Sequence, residues 1–265
     1  MTAPSRIGIA LFLAVACVPV RAGEKAPTST DVYASWGFYN NMGWAAFRLG
    51  DLDLARDRFT HAIEYVRPYQ KDYPRLMSRS CHDLTRVLCV EGRFADAEAM
   101  AKWVVEAREH DPRTRDDVMF DSVYLLAVVY RELDRDPADV VPLLRKALAL
   151  EERHLGGGDV RLGSTLKELA DAEADSGMLE DADVHYRRAA LIYKQHDVRG
   201  FNLVDALEAR AAVLARLDRT THADLLRREA ADLRGDAQAQ PRLADSIKNP
   251  LASFAESQET AVAQP

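Results

Sequence analysis

Residues 39–62 read YNNMGWAAFRLGDLDLARDRFTHA. Small side chains at Gly43, Gly50, Ala55 and Ala62 stand among larger apolar ones at Tyr39, Met42, Phe47, Leu49, Leu52 and Phe59. After Gly50 the positions Leu52, Ala55, Phe59 and Ala62 fall three and four apart, the spacing of an amphipathic helix, and the stretch before it reads as a second helix. Glycine accepts the left-handed conformation that ends a helix, so Gly50 predicts the joint between them.

The same arrangement echoes along the chain. Gly50-Asp51-Leu52 followed by Ala55, Phe59 and Ala62 returns as Gly92-Arg93-Phe94 with Ala97, Ala101 and Val104. It returns again as Gly177-Met178-Leu179 with Ala182, Tyr186 and Ala189. A weaker copy is Asp134-Arg135-Asp136-Pro137 with Val140, Leu144 and Ala147, and the weakest is Ala223, Arg227 and Ala230. The last small position of each unit falls at 62, 104, 147, 189 and 230, so the intervals are 42, 43, 42 and 41 residues. Self-similarity at a nearly fixed period is the mark of a repeat architecture. Small residues at the crossings let two helices approach to within about 8–10 Å.

The pattern resembles the tetratricopeptide repeat, in which a large residue, leucine-glycine and a second large residue precede alanine, an aromatic and alanine. In the first unit these are Tyr39, Met42-Gly43, Ala46, Ala55, Phe59 and Ala62; in the fourth, Leu166, Leu169-Ala170, Glu173, Ala182, Tyr186 and Ala189. The spacing resembles the longer kinesin-light-chain variety of the repeat. The resemblance covers residues 36–234 and implies an all-α, right-handed superhelix of about five helix-turn-helix repeats. Residues 23–35 are then a linker and the start of the first helix.

Departures from the pattern carry expectations of their own. Asp134-Arg135 replaces the turn glycine of the third unit, which predicts an irregular turn or a bend there. Pro142 lacks an amide hydrogen and fits near a helix start, which puts that start near Asp139 as N-cap. In the fifth unit Arg227 takes the aromatic position, as suits an end repeat whose outer face meets water.

In this family the first helix of each pair lines the concave face. The family's groove-facing offsets fall on Asn40, Trp44 and Arg48 in the first unit, and on His82 and Arg86 in the second. In the third they fall on Tyr124, Val128 and Arg131, and in the fourth on Lys167 and Asp171. Trp, Tyr and Arg carry binding energy at interfaces, and four cations on an acidic chain would favour an acidic partner segment. The alternative is that Trp44 covers a core edge and the arginines pair with groove acids. Chaperone-binding relatives hold a C-terminal carboxylate with lysines and asparagines. Trp44 and Asp83 stand where asparagines would be expected, which argues against that ligand.

Chemistry is not signposted. The seven histidines (His61, His82, His110, His154, His185, His196 and His222) form no HExxH motif and no paired spacing suited to zinc. Gly156-Gly157-Gly158 lacks the lysine and hydroxyl residue of a phosphate loop and reads as a flexible connector. Neither a metal nor a cofactor is expected. A binding scaffold for a protein or peptide is favoured over a catalytic or enzyme-associated module, and self-association of the array through its weakly polar end is a third possibility.

The formal net charge is −7 over 265 residues, which lacks the basic footprint of a nucleic-acid binder. Arg6, the apolar run IGIALFLAVACVPV (7–20) and Val20-Arg21-Ala22 have the layout of a secretory signal peptide cleaved before Gly23. The run is shorter than the roughly 20 residues of a spanning helix. Cleavage predicts a periplasmic or secreted protein. Leu13-Ala14-Val15-Ala16-Cys17 loosely resembles a lipobox, and lipidation of Cys17 would instead tether the chain to a membrane. Cys81 and Cys89 are eight residues apart on one predicted helix, about 12 Å, too far for a disulfide. Both read as small core residues. Residues 235–265, rich in Ala, Gln, Ser and Pro, predict a mobile tail, with LASF (251–254) as a segment that could dock on the array.

Overall fold

The computed structural model describes residues 28–198 and 200–237. The signal segment, Cys17 and LASF lie outside these residues. Among the described residues there are ten α-helices, one short 3-10 turn and no strand. The chain divides into two compact units, up to Thr114 and from Arg115 onward.

The first unit holds α1 (Ser29–Arg48), α2 (Leu52–Val66), the 3-10 turn Arg67–Tyr69, α3 (Pro74–Val90) and α4 (Phe94–Glu109). The second holds α5 (Asp116–Glu132), α6 (Pro137–Leu155), α7 (Leu162–Asp175), α8 (Leu179–Gln195), α9 (Phe201–Arg216) and α10 (Thr220–Ala237). Consecutive helices pack on each other within each unit, α1 on α2 on α3 on α4, and α5 through α10 likewise. This is the all-α, sequential helix-pair fold that the 42-residue period predicts.

A single joint recurs inside every pair. Gly50, Gly92 and Gly177 have φ of +77°, +70° and +79°. Where glycine is missing, Asp134 and Asp218 take the same left-handed conformation, at φ +49° and +59°. The next residue then donates its amide back across the turn: Asp51 to Ala46, Arg93 to Leu88, Arg135 to Tyr130, Met178 to Glu173 and Arg219 to Leu214, all at 2.8–3.0 Å. This is the Schellman closure, which satisfies carbonyls that a helix end leaves open. The third turn is therefore regular, contrary to expectation, because aspartate tolerates the left-handed region better than most side chains.

The start of α6 also departs from expectation. The N-cap is Asp136, whose carboxylate accepts from the Ala138 amide at 2.9 Å, with Pro137 as the first helical residue. Pro at that position costs nothing, since its amide would be unpaired anyway. Pro142 then lies inside the helix. At the N-terminus of α1, Thr28 and Asp31 form a reciprocal capping box.

The small residues are where the core is tightest. Ala55, Ala62, Ala97, Ala147, Ala182, Ala189, Ala223 and Ala230 are each 0 % exposed. A Cβ on Gly43 would come within 2.7 Å of the Phe59 ring, and one on Gly163 would strike the Tyr193 ring. The repeat's small positions thus admit an aromatic from the paired helix. Cys81 and Cys89 are buried free thiols, and burial pushes the Cys81 thiol far up, as their reading as core residues requires. Arg227 is exposed and pairs with Asp224 at 2.8 Å, so the last helix meets water with charge.

Candidate functional site

The expected groove residues fall on the first helices of the pairs: α1 and α3 in one unit, α5 and α7 in the other. They are much more covered than an open trough would leave them. Asn40, His82, Arg86, Tyr124 and Val128 are between 1 % and 9 % exposed. Trp44, Lys167 and Asp171 are half-buried, and Arg48 and Arg131 are exposed. Side chains of adjacent first helices meet laterally within each unit.

In the first unit α1 and α3 meet through two indoles. Trp36 Nε1 donates to Ser80 Oγ at 2.8 Å, and that hydroxyl donates on to Asn40 Oδ1 at 3.3 Å. Trp44 Nε1 donates to Asp83 Oδ2 at 3.0 Å. The Arg86 guanidinium lies 5.0 Å from the Trp44 ring centroid, and that of Arg79 lies 5.7 Å from Trp36. Both are within cation–π range. Burial raises the Asp83 carboxyl above the usual aspartate range, against the pull of Arg79, Arg86, the indole and Arg108. His82 is held well below the usual imidazole range by burial and by Arg108, Arg86 and Arg79. It is neutral at pH 7, and in its buried setting it serves as packing.

In the second unit α5 and α7 meet through an acid. Glu168 accepts from the Tyr124 hydroxyl at 2.6 Å and pairs with Arg131 at 3.2 Å. Burial and Glu168 together push the Tyr124 hydroxyl well above its ordinary range. Lys167 pairs with Asp171 on its own helix at 2.9 Å, and Asp171 also accepts from Tyr186.

Of the expected residues, Trp44 and Arg86 are brought together, as are Tyr124 and Arg131 through Glu168, and Lys167 and Asp171. Three of the four expected groove cations are therefore engaged by residues of the same face, the alternative raised by the sequence. Two acids that organise the face, Asp83 and Glu168, stand at the same register, nine residues before Gly92 and Gly177. Each immediately follows an expected groove residue, so their sequence signal was adjacency to His82 and Lys167.

Other polar groups act between helices. Glu173 is fully buried at a position that is Ala46, Leu88 and Leu214 in other pairs. Arg145 of α6 donates to it at 2.8 Å, and the His185 ring of α8 bonds it at 2.6 Å, which compensates the buried charge. The triglycine connector is tied rather than loose: Arg188 donates to the Gly157 carbonyl at 2.9 Å and His196 to that of Gly158 at 2.8 Å. Among the described residues no group of three or more His, Cys, Asp or Glu could hold a metal ion. Nor is any described helix long and apolar enough to cross a membrane.

No protein-family model matches the sequence, and no curated protein is similar to it. Solved structures share its fold. A kinesin light chain of Podosopora anserina, built of nearly identical TPR-like repeats, superposes with a TM-score of 0.64 at 15% identity, covering 78% of this chain and 98% of that one. BtubC (BKLC) from P. vanneervenii gives 0.65 at 17% identity, covering 81% and 87%. YrrB, a TPR protein with an unusual peptide-binding site, gives 0.57 at 18% identity, covering 83% and 90%. At such identities the likeness is one of fold. The chain has the TPR-like repeat fold in about five helix pairs, and its structural neighbours include kinesin-light-chain-like TPR proteins.

Proposed function

We propose that this chain is an exported, non-enzymatic scaffold that holds a protein or peptide segment against the faces of its first helices. The observation that carries the reading is the repeated trio of aromatic, acid and arginine on those faces: Trp44, Asp83 and Arg86 in one unit, Tyr124, Glu168 and Arg131 in the other. The buried members, Asp83, Arg86 and Tyr124, hold the more accessible Trp44, Glu168 and Arg131 in place, so little conformational entropy is lost when a partner covers the latter. YrrB, which has this fold, is described by its peptide-binding site; that supports a peptide ligand here by analogy only.

An acidic stretch is the partner chemistry we favour. Arg48 and Arg131 are the expected groove cations that are exposed. A partner carboxylate could compete with Glu168 for Arg131, whose side chain is 45% exposed. Photo-crosslinkers at Arg48 and Arg131 should capture a partner in the native compartment. Crosslinkers at Val184 and Leu191, exposed on a second helix at 48% and 53%, should not. A partner captured equally well from both pairs of positions would remove the first-helix face from consideration.

Export rests on residues 6–22. The mass of the mature N-terminus distinguishes a chain beginning at Gly23 from a lipidated one beginning at Cys17, and an intact N-terminus would contradict both.

A further inference from the structure

The outward face of α1 is built unlike the corresponding face of any other first helix. Twelve residues before the left-handed turn residue of each pair stand Phe38, Ser80, Ser122, Thr165 and Ala206. Four of these are small and at most 2 % exposed, while Phe38 is 61 % exposed. Five residues before the same turn stand Ala45, Val87, Val129, Ala172 and Val213. The last four are buried and Ala45 is exposed. The helices α3, α7 and α9 each pack on the preceding second helix, α2, α6 and α8 respectively, and Ser80 of this face bonds Trp36 and Asn40 of the preceding first helix. Among the described residues no helix lies on this surface of α1, and its small residue has become phenylalanine.

The face continues along the whole helix. Ala34, Phe38, Asn41 and Ala45 are exposed at spacings of four, three and four, with Gly37 beside them. They form one stripe, opposite the buried Val32, Gly43 and Ala46. Nothing in the stripe is charged. The only charged residues of α1 are Asp31 at one end and Arg48 at the other, and both are exposed. By contrast α10, the last helix of the second unit, exposes Asp224, Arg227, Arg228 and Asp232. A polar outer face is what a terminal repeat needs for solubility, and α1 lacks one.

We propose that this stripe is a self-association surface, on which α1 of a second copy packs antiparallel about a two-fold axis. The self-complementarity is in the register. An axis midway between Tyr39 and Asn40 sets Ala34 against Ala45 of the other copy and Phe38 against Asn41. It also brings Asp31 to Arg48 of the other copy, twice. Asp31 and Arg48 are seventeen residues, about 26 Å, apart, so a parallel pair in register would set like charges side by side, whereas the antiparallel pair sets opposite ones together. Alanine and glycine let the helices approach closely, and each Phe38 ring lies over the other copy's Asn41 and Ala45. An isologous contact of this kind closes as a dimer and does not propagate. One helix per copy is at the small end of interface sizes, so association in the micromolar range is expected.

Sedimentation of the full chain up to about 0.1 mM should show a monomer–dimer equilibrium. Phe38→Asp should weaken it by about tenfold or more and leave the thermal transition unchanged, since Phe38 is exposed. Arg48→Glu should weaken it, and Arg48→Lys should restore it. Register is read by crosslinking in a Cys17→Ser background, where Cys81 and Cys89 are buried. A mixture of Ala34→Cys and Ala45→Cys chains should form a heterodisulfide. Neither chain alone should, because like positions would be about 16 Å apart. A chain that stays monomeric overturns the proposal, and that outcome includes another segment of the same chain lying on α1. A dimer indifferent to Phe38→Asp, or one that forms disulfides from Ala34→Cys alone, overturns it as well.

Discussion

At the scale of single residues, the decisive feature is how little room the helix crossings leave. Gly43 faces the Phe59 ring so closely that a methyl group would sit 2.7 Å from it. Gly43→Ala should therefore destabilise the first unit by roughly 1–3 kcal/mol, seen as a lower melting temperature. Phe59→Leu in the same chain should recover part of the loss, although Leu alone costs stability by leaving space. If Gly43→Ala melts with the wild type, the ring is free to move aside and the crossing is looser than its geometry implies. The residue scale also shows what the sequence concealed. The spacing of Trp44 and Arg86 put both on first helices, but nothing in it revealed that the guanidinium would lie over the indole and be almost wholly covered.

At the scale of helices, the five left-handed joints do equivalent work with different residues. Glycine adopts this conformation without strain, whereas aspartate bears a cost of about 1 kcal/mol. Asp134→Gly should accordingly stabilise the second unit by up to about 1 kcal/mol, and Gly177→Ala should destabilise it by a similar amount. Chemical denaturation of the two variants checks both signs. The opposite result for Asp134 would mean that its carboxylate contributes to the turn beyond its backbone conformation. The joint at Asp134 also shows why the third pair departed from expectation. A missing glycine and an extra residue before Pro137 suggested irregularity, yet the amide of Arg135 closes the turn as in the other pairs.

At the scale of the whole molecule, buried and exposed carboxylates act on stability in opposite directions with pH. Glu151 is 7 % exposed, and burial pushes its carboxyl up from 4.5 to about 7. Folding keeps its proton on, so its contribution is full below about 4.5 and is lost as pH rises through 7. The loss is a few kcal/mol at most. Asp111 and Asp159, drawn down to about 2 by Arg75 and Arg161, behave conversely: their contribution is present above about 4 and disappears as pH falls through 2. Both pairs lie at the surface, where such pairs are worth little. His82, which burial holds well below its usual range, adds the opposite slope as pH falls below about 6.5, so stability should peak at about pH 6–7 and Glu151→Gln should flatten the decline from there to pH 8. Melting curves across that range test this, and a wild-type optimum at pH 8 would contradict it.

What the sequence determined by itself is the architecture. Period, turn glycines and buried alanines are local in the chain, and each repeat carries its own copy, so five weak signals reinforce one another. The polar end at α10 was legible in the same way, from Arg227 standing where an aromatic belongs. Only the tertiary structure decided the state of the first-helix face and of the other end. Whether Arg86 or Arg131 is available to a partner depends on Trp44 and Glu168 of adjacent first helices, some forty residues away. Pairing across that distance is set by the lateral offset of packed helices, which no periodicity encodes. The bare stripe on α1 is of the same kind. Phe38 reads in the sequence as one more apolar residue of a helix, and becomes an exposed face only because no described helix precedes it.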